Sequence, residues 1–180
     1  LIVRGENFSL DISRHSGLIS RYRVDGKDML KEDTQIRPNF WRAPTDNDFG
    51  AGLQMRYRAW KEPVITLDRE KGLESELRDG IAVITSHLII KDIAELTLTY
   101  EVNNAGMVKV TEKMKADPSK KVSDLFRYGM NLVMPKSFNR VEYYGRGPLE
   151  NYSDRKDCTF MGIYSQSVAE QYYPYIRPQE

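Results

Sequence analysis

Two segments of the chain combine aromatic side chains with carboxylates, amides and arginines. The first covers residues 39–50 and the second covers residues 143–155. Both are too polar for core strands, and both contain proline and glycine, which favour loops. An aromatic ring can pack on the C–H face of a sugar, while carboxylate and amide groups bond to the sugar hydroxyls. These residue types therefore predict contact with a polyhydroxylated ligand.

Each segment holds a pair of carboxylates at short spacing. The pairs are Asp46 with Asp48 and Glu150 with Asp154. Glycoside hydrolysis uses two carboxyl groups, which lie about 5 Å apart in retaining enzymes. On spacing alone, either pair could supply the acid and the nucleophile of such a reaction.

The alternative is that these carboxylates fix the loops that contain them. Asp46, Asn47 and Asp48 are residue types that form Asx turns with their own backbone. Arg42 and Arg146 lie close in sequence to the two carboxylate pairs, and an arginine lowers the pKa of a neighbouring carboxyl group, which makes it a poor general acid. We favour this anchoring role, with Arg155 as a third arginine of the same kind.

Other common catalytic arrangements are not supported by the sequence. His15 and His87 are the two histidines, and neither has a ligand partner at metal-binding spacing, so no metal site is predicted and a structural role is favoured for both. The single cysteine, Cys158, has no distinctive neighbours and is predicted to be a buried structural thiol. No serine lies in a nucleophile-elbow pattern.

The composition restricts the partners of the chain. With 27 basic and 26 acidic residues, the net charge is +1, which excludes the strongly basic surface expected of a nucleic-acid or anionic-membrane binder. No apolar run is long enough to span a bilayer. The chain starts at Leu1, directly in a strand-like pattern, so we expect a piece of a larger protein and leave the compartment open.

Alternation of apolar and polar residues dominates the chain and predicts antiparallel β structure. The turn dipeptides Asp25-Gly26 and Asp79-Gly80 are typical of hairpins. One helix is predicted over residues 53–60, ended by Pro63. The predicted fold is an all-β sandwich forming a single domain over residues 1–180. The predicted strands cover residues 8–12, 18–24, 81–90, 96–102, 107–116, 126–134 and 141–144.

Three stretches of the chain resemble the C-terminal, small-chain region (domain 5) of glycoside hydrolase family 2 β-galactosidases. Residues 38–50 resemble the family segment Phe-x-Arg-Ala-Pro-x-Asp-Asn-Asp-x-Gly. Residues 144–155 resemble Gly-x-Gly-Pro-x-Glu-Asn-Tyr-x-Asp-Arg, and residues 172–180 resemble the Tyr-x-x-Pro-x-Glu stretch that follows. The three matches occur in the family order and bracket most of the chain.

The resemblance implies an antiparallel β-supersandwich similar to galactose mutarotase, incomplete at its C-terminal end. It implies a non-catalytic segment that walls the active site of a retaining β-galactosidase and stabilises the assembly. The catalytic glutamates would belong to a barrel domain of the same polypeptide, with a galactoside as substrate. The resemblance also implies Mg²⁺ or Na⁺ in the intact enzyme, but no ligand in this chain.

The resemblance also assigns expected roles to individual residues. The segment Asp46, Asn47, Asp48, Phe49 and Gly50 is expected to form the rim of the substrate pocket, with Gly50 and Gly52 giving it hinge freedom. The chemistry of arginines beside carboxylates, and not the resemblance, gives the residues expected to anchor the loops, which are Arg42, Arg146, Glu150, Asn151, Asp154 and Arg155.

Two other functions remain as alternatives. A stand-alone carbohydrate-binding sandwich would need an exposed aromatic platform, and Tyr143 and Tyr144 could belong to one or could simply be sheet residues. A mutarotase-like sugar epimerase would use a glutamate and histidines in the sandwich groove. We also expect an exposed apolar edge, which would favour self-association into a homo-oligomer.

Overall fold

A computed structural model of the chain describes residues 1–151 and 156–172. These residues form two compact units. The first comprises Leu1–Arg42 and Arg56–Pro135, and the second comprises Ala43–Met55 and the described residues from Lys136 onwards. The prediction of a single domain over residues 1–180 stays a prediction.

The first unit contains two antiparallel sheets and a short strand pair. The strands are β1 (Ile2–Arg4), β2 (Phe8–Ile12), β3 (Ile19–Val24), β4 (Lys27–Asp28), β5 (Arg37–Asn39), β6 (Ile65–Leu67), β7 (Leu73–Arg78), β8 (Ile81–Ile90), β9 (Ala94–Val102), β10 (Val108–Ala116) and β11 (Gly129–Asn131). The four-stranded sheet has the order β1-β2-β3-β4, and the five-stranded sheet has the order β10-β9-β8-β6, with β7 also pairing with β8. Strands β6 and β7 therefore lie end to end along one edge of β8, and β5 pairs with β11.

The core of the first unit lies between the inward faces of the two sheets. Apolar residues alternate along β2, β8 and β9, so that every second side chain is buried. Such alternation places one face of each antiparallel sheet against the core and the other face in solvent. The buried apolar side chains are Phe8, Leu10, Ile12, Leu18, Ile19, Leu30, Phe40, Trp60, Ile84, Leu88, Ile90, Ala94, Leu96, Leu98, Tyr100 and Val102.

The second unit is built around one hairpin and a helical turn. Strands β12 (Arg140–Gly147) and β13 (Phe160–Ser167) pair antiparallel, with Tyr144 opposite Ile163. Helix α1 (Asp46–Gly50) lies in this unit, and helix α2 (Leu53–Arg56) runs from it into the first unit. Short 3₁₀ turns cover Arg58–Trp60 and Ala169–Gln171. No helix in the described part of the chain is long and apolar enough to cross a membrane.

The structure confirms the all-β fold class and corrects some of its details. The predicted helix over residues 53–60 is divided into α2 and a 3₁₀ turn, because the chain leaves α-helical geometry at Tyr57. The predicted strand over residues 126–134 shrinks to the three residues of β11, which pair with the equally short β5. The resemblance to galactose mutarotase stays a prediction.

Glu112 is an acidic residue on the core-facing side of β10. It lies opposite Leu98, on the same face as Val108, Val110 and Met114, which pack against the core. Its Oε1 atom is buried and has no hydrogen-bond partner among the described residues. Burial disfavours the charged carboxylate and raises the pKa of Glu112 to about 7.

We expect Glu112→Gln to remove a pH dependence of stability. Because the folded pKa lies above the ordinary value of 4.5, the folded state holds this proton more tightly, and stability falls as the pH rises from 4.5 through 7. Solvent screens this half-buried group, so the free energy of unfolding of the wild-type chain should fall by about 1 kcal/mol over this range. Urea unfolding at pH 5 and pH 8 measures this difference, which should be absent in Glu112→Gln. The exposed Glu6→Gln is the control, and an unchanged pH difference in Glu112→Gln would contradict the assignment.

Candidate functional site

The first aromatic-polar segment is divided between the two units after Arg42. Its beginning, at the end of β5, is fixed by Asn39, whose Nδ2 donates to the Trp41 carbonyl at 3.0 Å and whose Oδ1 accepts from the Trp41 N–H at 3.3 Å. Phe40 points into the core and packs edge-on against Trp60, with ring centroids 5.3 Å apart. An Asx turn therefore does form in this segment, but at Asn39 rather than at residues 46–48.

An aromatic cluster in the first unit surrounds the ring of Phe126. Trp41 and Tyr57 each meet this ring edge-on with centroids 4.8 Å apart, and the Arg42 guanidinium lies 4.9 Å from its centroid. Edge-on rings and a cation over a ring face are the favourable geometries for these groups. The side chains of Trp41 and Arg42 therefore attach the chain that follows β5 to the segment that contains Phe126.

The rest of the segment is helical, contrary to the expected loop of Asx turns. Thr45 is the N-cap of α1, and its side chain accepts the Asp48 N–H at 3.3 Å. Asp48 in turn accepts the Thr45 N–H at 2.8 Å. This reciprocal pair is a capping box, which satisfies two backbone donors at once. The pattern Thr-x-x-Asp at 45–48 was visible in the sequence and is the signal that could have predicted the helix start.

The five residues predicted to form a pocket rim differ in exposure. Asp48 is only 3% exposed, because its carboxylate is used in the capping box. Phe49 is 52% exposed, Asn47 and Gly50 are also exposed, and Asp46 is half-buried. Asp48 is thus a structural residue, which supports the anchoring interpretation over an acid–nucleophile pair with Asp46.

The helical turn ends at a glycine in the left-handed region. Ala51 is the C-cap and donates to the Asn47 carbonyl at 3.0 Å. Gly52 follows with a φ of 68°, which an L side chain rarely adopts, and its N–H bonds to the Phe49 carbonyl at 3.1 Å. The hinge role of Gly50 and Gly52 stays a prediction.

In the second segment, Arg146 stabilises a neighbouring turn. Its Nη1 donates to the carbonyls of Thr159 at 2.9 Å and Lys156 at 3.2 Å. The Thr159 side chain, itself buried, also donates to the Lys156 carbonyl at 2.9 Å. Arg146 thus anchors residues 156–159 through backbone carbonyls.

The structure describes two of the remaining four residues predicted to anchor the loops. Glu150 and Asn151 are exposed, while Asp154 and Arg155 lie outside the described residues. The expected pairing of the arginines with these carboxylates stays a prediction.

Two other residues singled out in the sequence have defined surroundings. His87 lies on β8 with its Nε2 3.6 Å from Glu74 Oε1 on the adjacent strand. Cys158 is exposed, so its prediction as a buried thiol is wrong; it belongs to the surface turn that Arg146 holds rather than to a strand. Within residues 1–151 and 156–172, no group of three or more His, Cys, Asp and Glu side chains could hold a metal ion.

The β12–β13 hairpin carries apolar side chains on one face. Tyr144 and Ile163 are cross-strand neighbours that are 75% and 74% exposed, and Met161 extends the same face. A two-stranded hairpin is marginal by itself and needs an apolar face packed against further structure. The expected exposed apolar edge stays a prediction.

Comparison with known proteins shows that the chain is similar to one region of β-galactosidases. The family model described as the β-galactosidase small chain matches residues 4–180. A β-galactosidase of Lactobacillus delbrueckii subsp. bulgaricus is 34% identical over 180 residues, and one of Priestia megaterium is 32% identical over 180 residues. A third, from Streptococcus thermophilus, is 27% identical over 183 residues.

These alignments cover nearly all of the chain but a small part of each relative. They include 99–100% of this chain, which spans only 17% of the length of the three relatives. The matched region contains both aromatic-polar segments and the five-stranded sheet between them. On this match over nearly its whole length, the chain belongs to the β-galactosidase small-chain family.

Proposed function

We propose that this chain is a non-catalytic β-sandwich segment of a β-galactosidase, and that it walls the substrate pocket and stabilises the assembly. The proposal is carried by the family match over residues 4–180, together with the capping box that fixes Asp46–Gly50. The whole enzyme would hydrolyse terminal β-D-galactosides with retention, through a covalent glycosyl intermediate.

The geometry of residues 41–50 suits a wall better than a catalyst. The Asp48 carboxylate is buried and used by the backbone, so it is not available as a nucleophile or general acid. Phe49 and Asn47 project from the same capped turn and are exposed. A rigid turn that presents one apolar and one amide group can orient a sugar without taking part in bond cleavage.

The acid and nucleophile would then come from the rest of the polypeptide. The relatives are about six times longer than this chain, which leaves room for a catalytic domain that supplies both carboxylates. Mg²⁺ or Na⁺, if the intact enzyme uses them, would be held there or with the help of residues beyond this chain. We therefore expect this segment to contact the catalytic domain and the galactoside substrate only in the full-length protein.

We expect Asp48→Ala in the full-length polypeptide to lower kcat/KM for a nitrophenyl β-galactoside about tenfold, because a displaced wall weakens substrate positioning. The change removes the capping box, which stabilises a helix start by about 0.5–2 kcal/mol. Asp48→Glu is the matched control, since a glutamate at the third helical position can also reach back to the cap N–H. It should stay within about twofold of wild type.

The 180-residue chain alone provides the second half of the test. We expect no galactoside hydrolysis by it. Hydrolysis by the chain alone, or wild-type kcat/KM in Asp48→Ala, would contradict the proposal. Millimolar galactose binding by the chain alone would instead favour a carbohydrate-binding module, and faster mutarotation of α-galactose in polarimetry would favour an epimerase.

A further inference from the structure

A cleft of about 560 Å³ in the first unit lies between two turns that come from different sheets. The β2–β3 turn supplies Arg14, His15 and Ser16, and the β6–β7 turn supplies Asp68, Arg69 and Gly72. Strand β6 contributes Ile65 and Leu67 to the lining. The volume lies in the range of small-molecule sites, and no residue of the two aromatic-polar segments lines this cleft.

The β2–β3 turn is fixed on the five-stranded sheet by buried hydrogen bonds. The Gly17 carbonyl accepts from Ser86 Oγ at 2.6 Å and from the Tyr100 hydroxyl at 3.1 Å. Ser86 and Tyr100 are both fully buried. A Cβ atom at Gly17 would lie 2.8 Å from Leu67 Cδ1, which shows how closely this turn meets β6. The β2–β3 wall of the cleft is therefore packed directly on β6.

The cleft carries positive charge that the described residues do not neutralise. Neither Arg14 nor Arg69 makes a side-chain hydrogen bond or ion pair within residues 1–151 and 156–172. Asp68 is the acidic residue of the lining, but its Oδ1 accepts the backbone N–H groups of Glu70 at 2.8 Å and Lys71 at 3.2 Å, which hold its pKa below the ordinary value. The lining thus includes two guanidinium groups and one carboxylate, which already accepts the N–H groups of its own turn.

The neutral groups of the cleft add a hydrogen-bond donor. Ser16 Oγ accepts the Gln35 Nε2–H at 3.0 Å and the Leu18 N–H at 3.3 Å. With both acceptor positions of the oxygen in use, the hydroxyl proton remains to donate to a third group. Two guanidinium forks and a hydroxyl donor are a set that recognises oxyanions.

We propose that this cleft, named here the Arg14–Arg69 cleft, is a binding site for a small oxyanion, either a phosphate-bearing or a carboxylate-bearing molecule. Arg14 and Arg69 supply charge-assisted hydrogen bonds from opposite walls, and Ser16 donates a third. The site is separate from the pocket wall proposed above and does not depend on that function. Its ligand would regulate or stabilise the first unit, because an anion bound only to the folded state favours folding.

Titration of the 180-residue chain with inorganic phosphate and with citrate tests the site. At low ionic strength we expect one of the two to bind with a Kd of about 1 mM or tighter, with saturation and with shifts of the Ser16 and Gly72 amide signals in NMR spectra. Tighter binding of phosphate identifies a phosphate-bearing ligand, and tighter binding of citrate identifies a carboxylate-bearing one. Absence of saturable binding by both overturns the proposal.

Two double variants with the same change in net charge distinguish a specific anion site from general attraction of anions to positive surface charge. Arg14→Gln with Arg69→Gln should weaken binding at least about tenfold, since both forks are lost. Arg58→Gln with Lys113→Gln removes the same charge from exposed positions outside the cleft and should change binding less than about twofold. Equal weakening by the two double variants overturns the proposal. Arg14→Lys keeps the positive charge but loses the two-pronged guanidinium donor, so it should bind with intermediate affinity. This single variant serves as the test if the double glutamine variant does not fold.

Discussion

Trp60→Ala should lower the free energy of unfolding by about 3–5 kcal/mol, the range for removing a buried tryptophan. Trp60 is 2% exposed and packs edge-on against Phe40 in the core. Its Nε1–H donates to the Ser123 carbonyl at 3.1 Å, 63 residues along the chain. The substitution would therefore leave a cavity and also release the segment around Ser123. Urea unfolding followed by far-ultraviolet circular dichroism measures the change.

Trp60→Phe separates the two contributions of this side chain. It keeps an aromatic ring in the core but loses the indole N–H, so the Ser123 carbonyl loses its donor. We expect a loss of about 1–3 kcal/mol, smaller than for alanine. A loss below about 1 kcal/mol for Trp60→Ala would show that the site collapses readily or that Trp60 is not part of the core.

Gly17→Ala should lower the free energy of unfolding by about 2–4 kcal/mol, because it adds both backbone strain and a steric clash. Gly17 has a φ of 72°, and a methyl group there would meet Leu67 Cδ1 at 2.8 Å and Ser86 Cβ at 3.1 Å. To relieve the clash, the turn must move away from β6 and weaken the bond from Ser86 Oγ to the Gly17 carbonyl. The same change should weaken anion binding in the Arg14–Arg69 cleft.

Gly26→Ala is the matched control for the backbone term. Gly26 has a φ of 76°, but no atom lies within 4 Å of the Cβ position. This variant should lower the free energy of unfolding only by the strain of an alanine in the left-handed conformation, about 1–2 kcal/mol. The difference between the two variants, measured as midpoints of urea unfolding, isolates the packing of the β2–β3 turn on β6. Equal losses would show that the turn is not tightly packed.

Strands and hairpin turns were the part of the fold that the sequence predicted best. Residues 81–90 form β8 with the predicted bounds, and residues 108–116 of the strand predicted over 107–116 alternate on β10, with the lysines outward. Asp25-Gly26 and Asp79-Gly80 both turn with positive φ at each residue, as two-residue hairpins require. These features depend on neighbours in sequence, so a local pattern is enough to predict them.

The predictions failed where a local pattern allowed two outcomes. Thr45 to Asp48 can form Asx turns or a capping box, and the choice depends on whether the following residues are helical. Strand β11 ends after Asn131, although the apolar pattern continues to Met134, because its partner β5 is only three residues long. Exposure of Cys158 could not be predicted because it depends on where a turn lies rather than on its own neighbours.

The sequence by itself determined the all-β class, most strands of the first unit and, through the two aromatic-polar segments, the β-galactosidase small-chain family. The alternation of apolar and polar residues and the order of motifs are properties of the sequence, so they can be recognised without knowledge of tertiary contacts. Only the tertiary structure decided that Asp48 is buried in a cap, that Arg42 covers Phe126, and that Arg14 and Arg69 line one cleft. Arg14 and Arg69 are 55 positions apart in the sequence. They line one cleft because the β2–β3 turn packs on β6, and that contact depends on the absence of a side chain at Gly17.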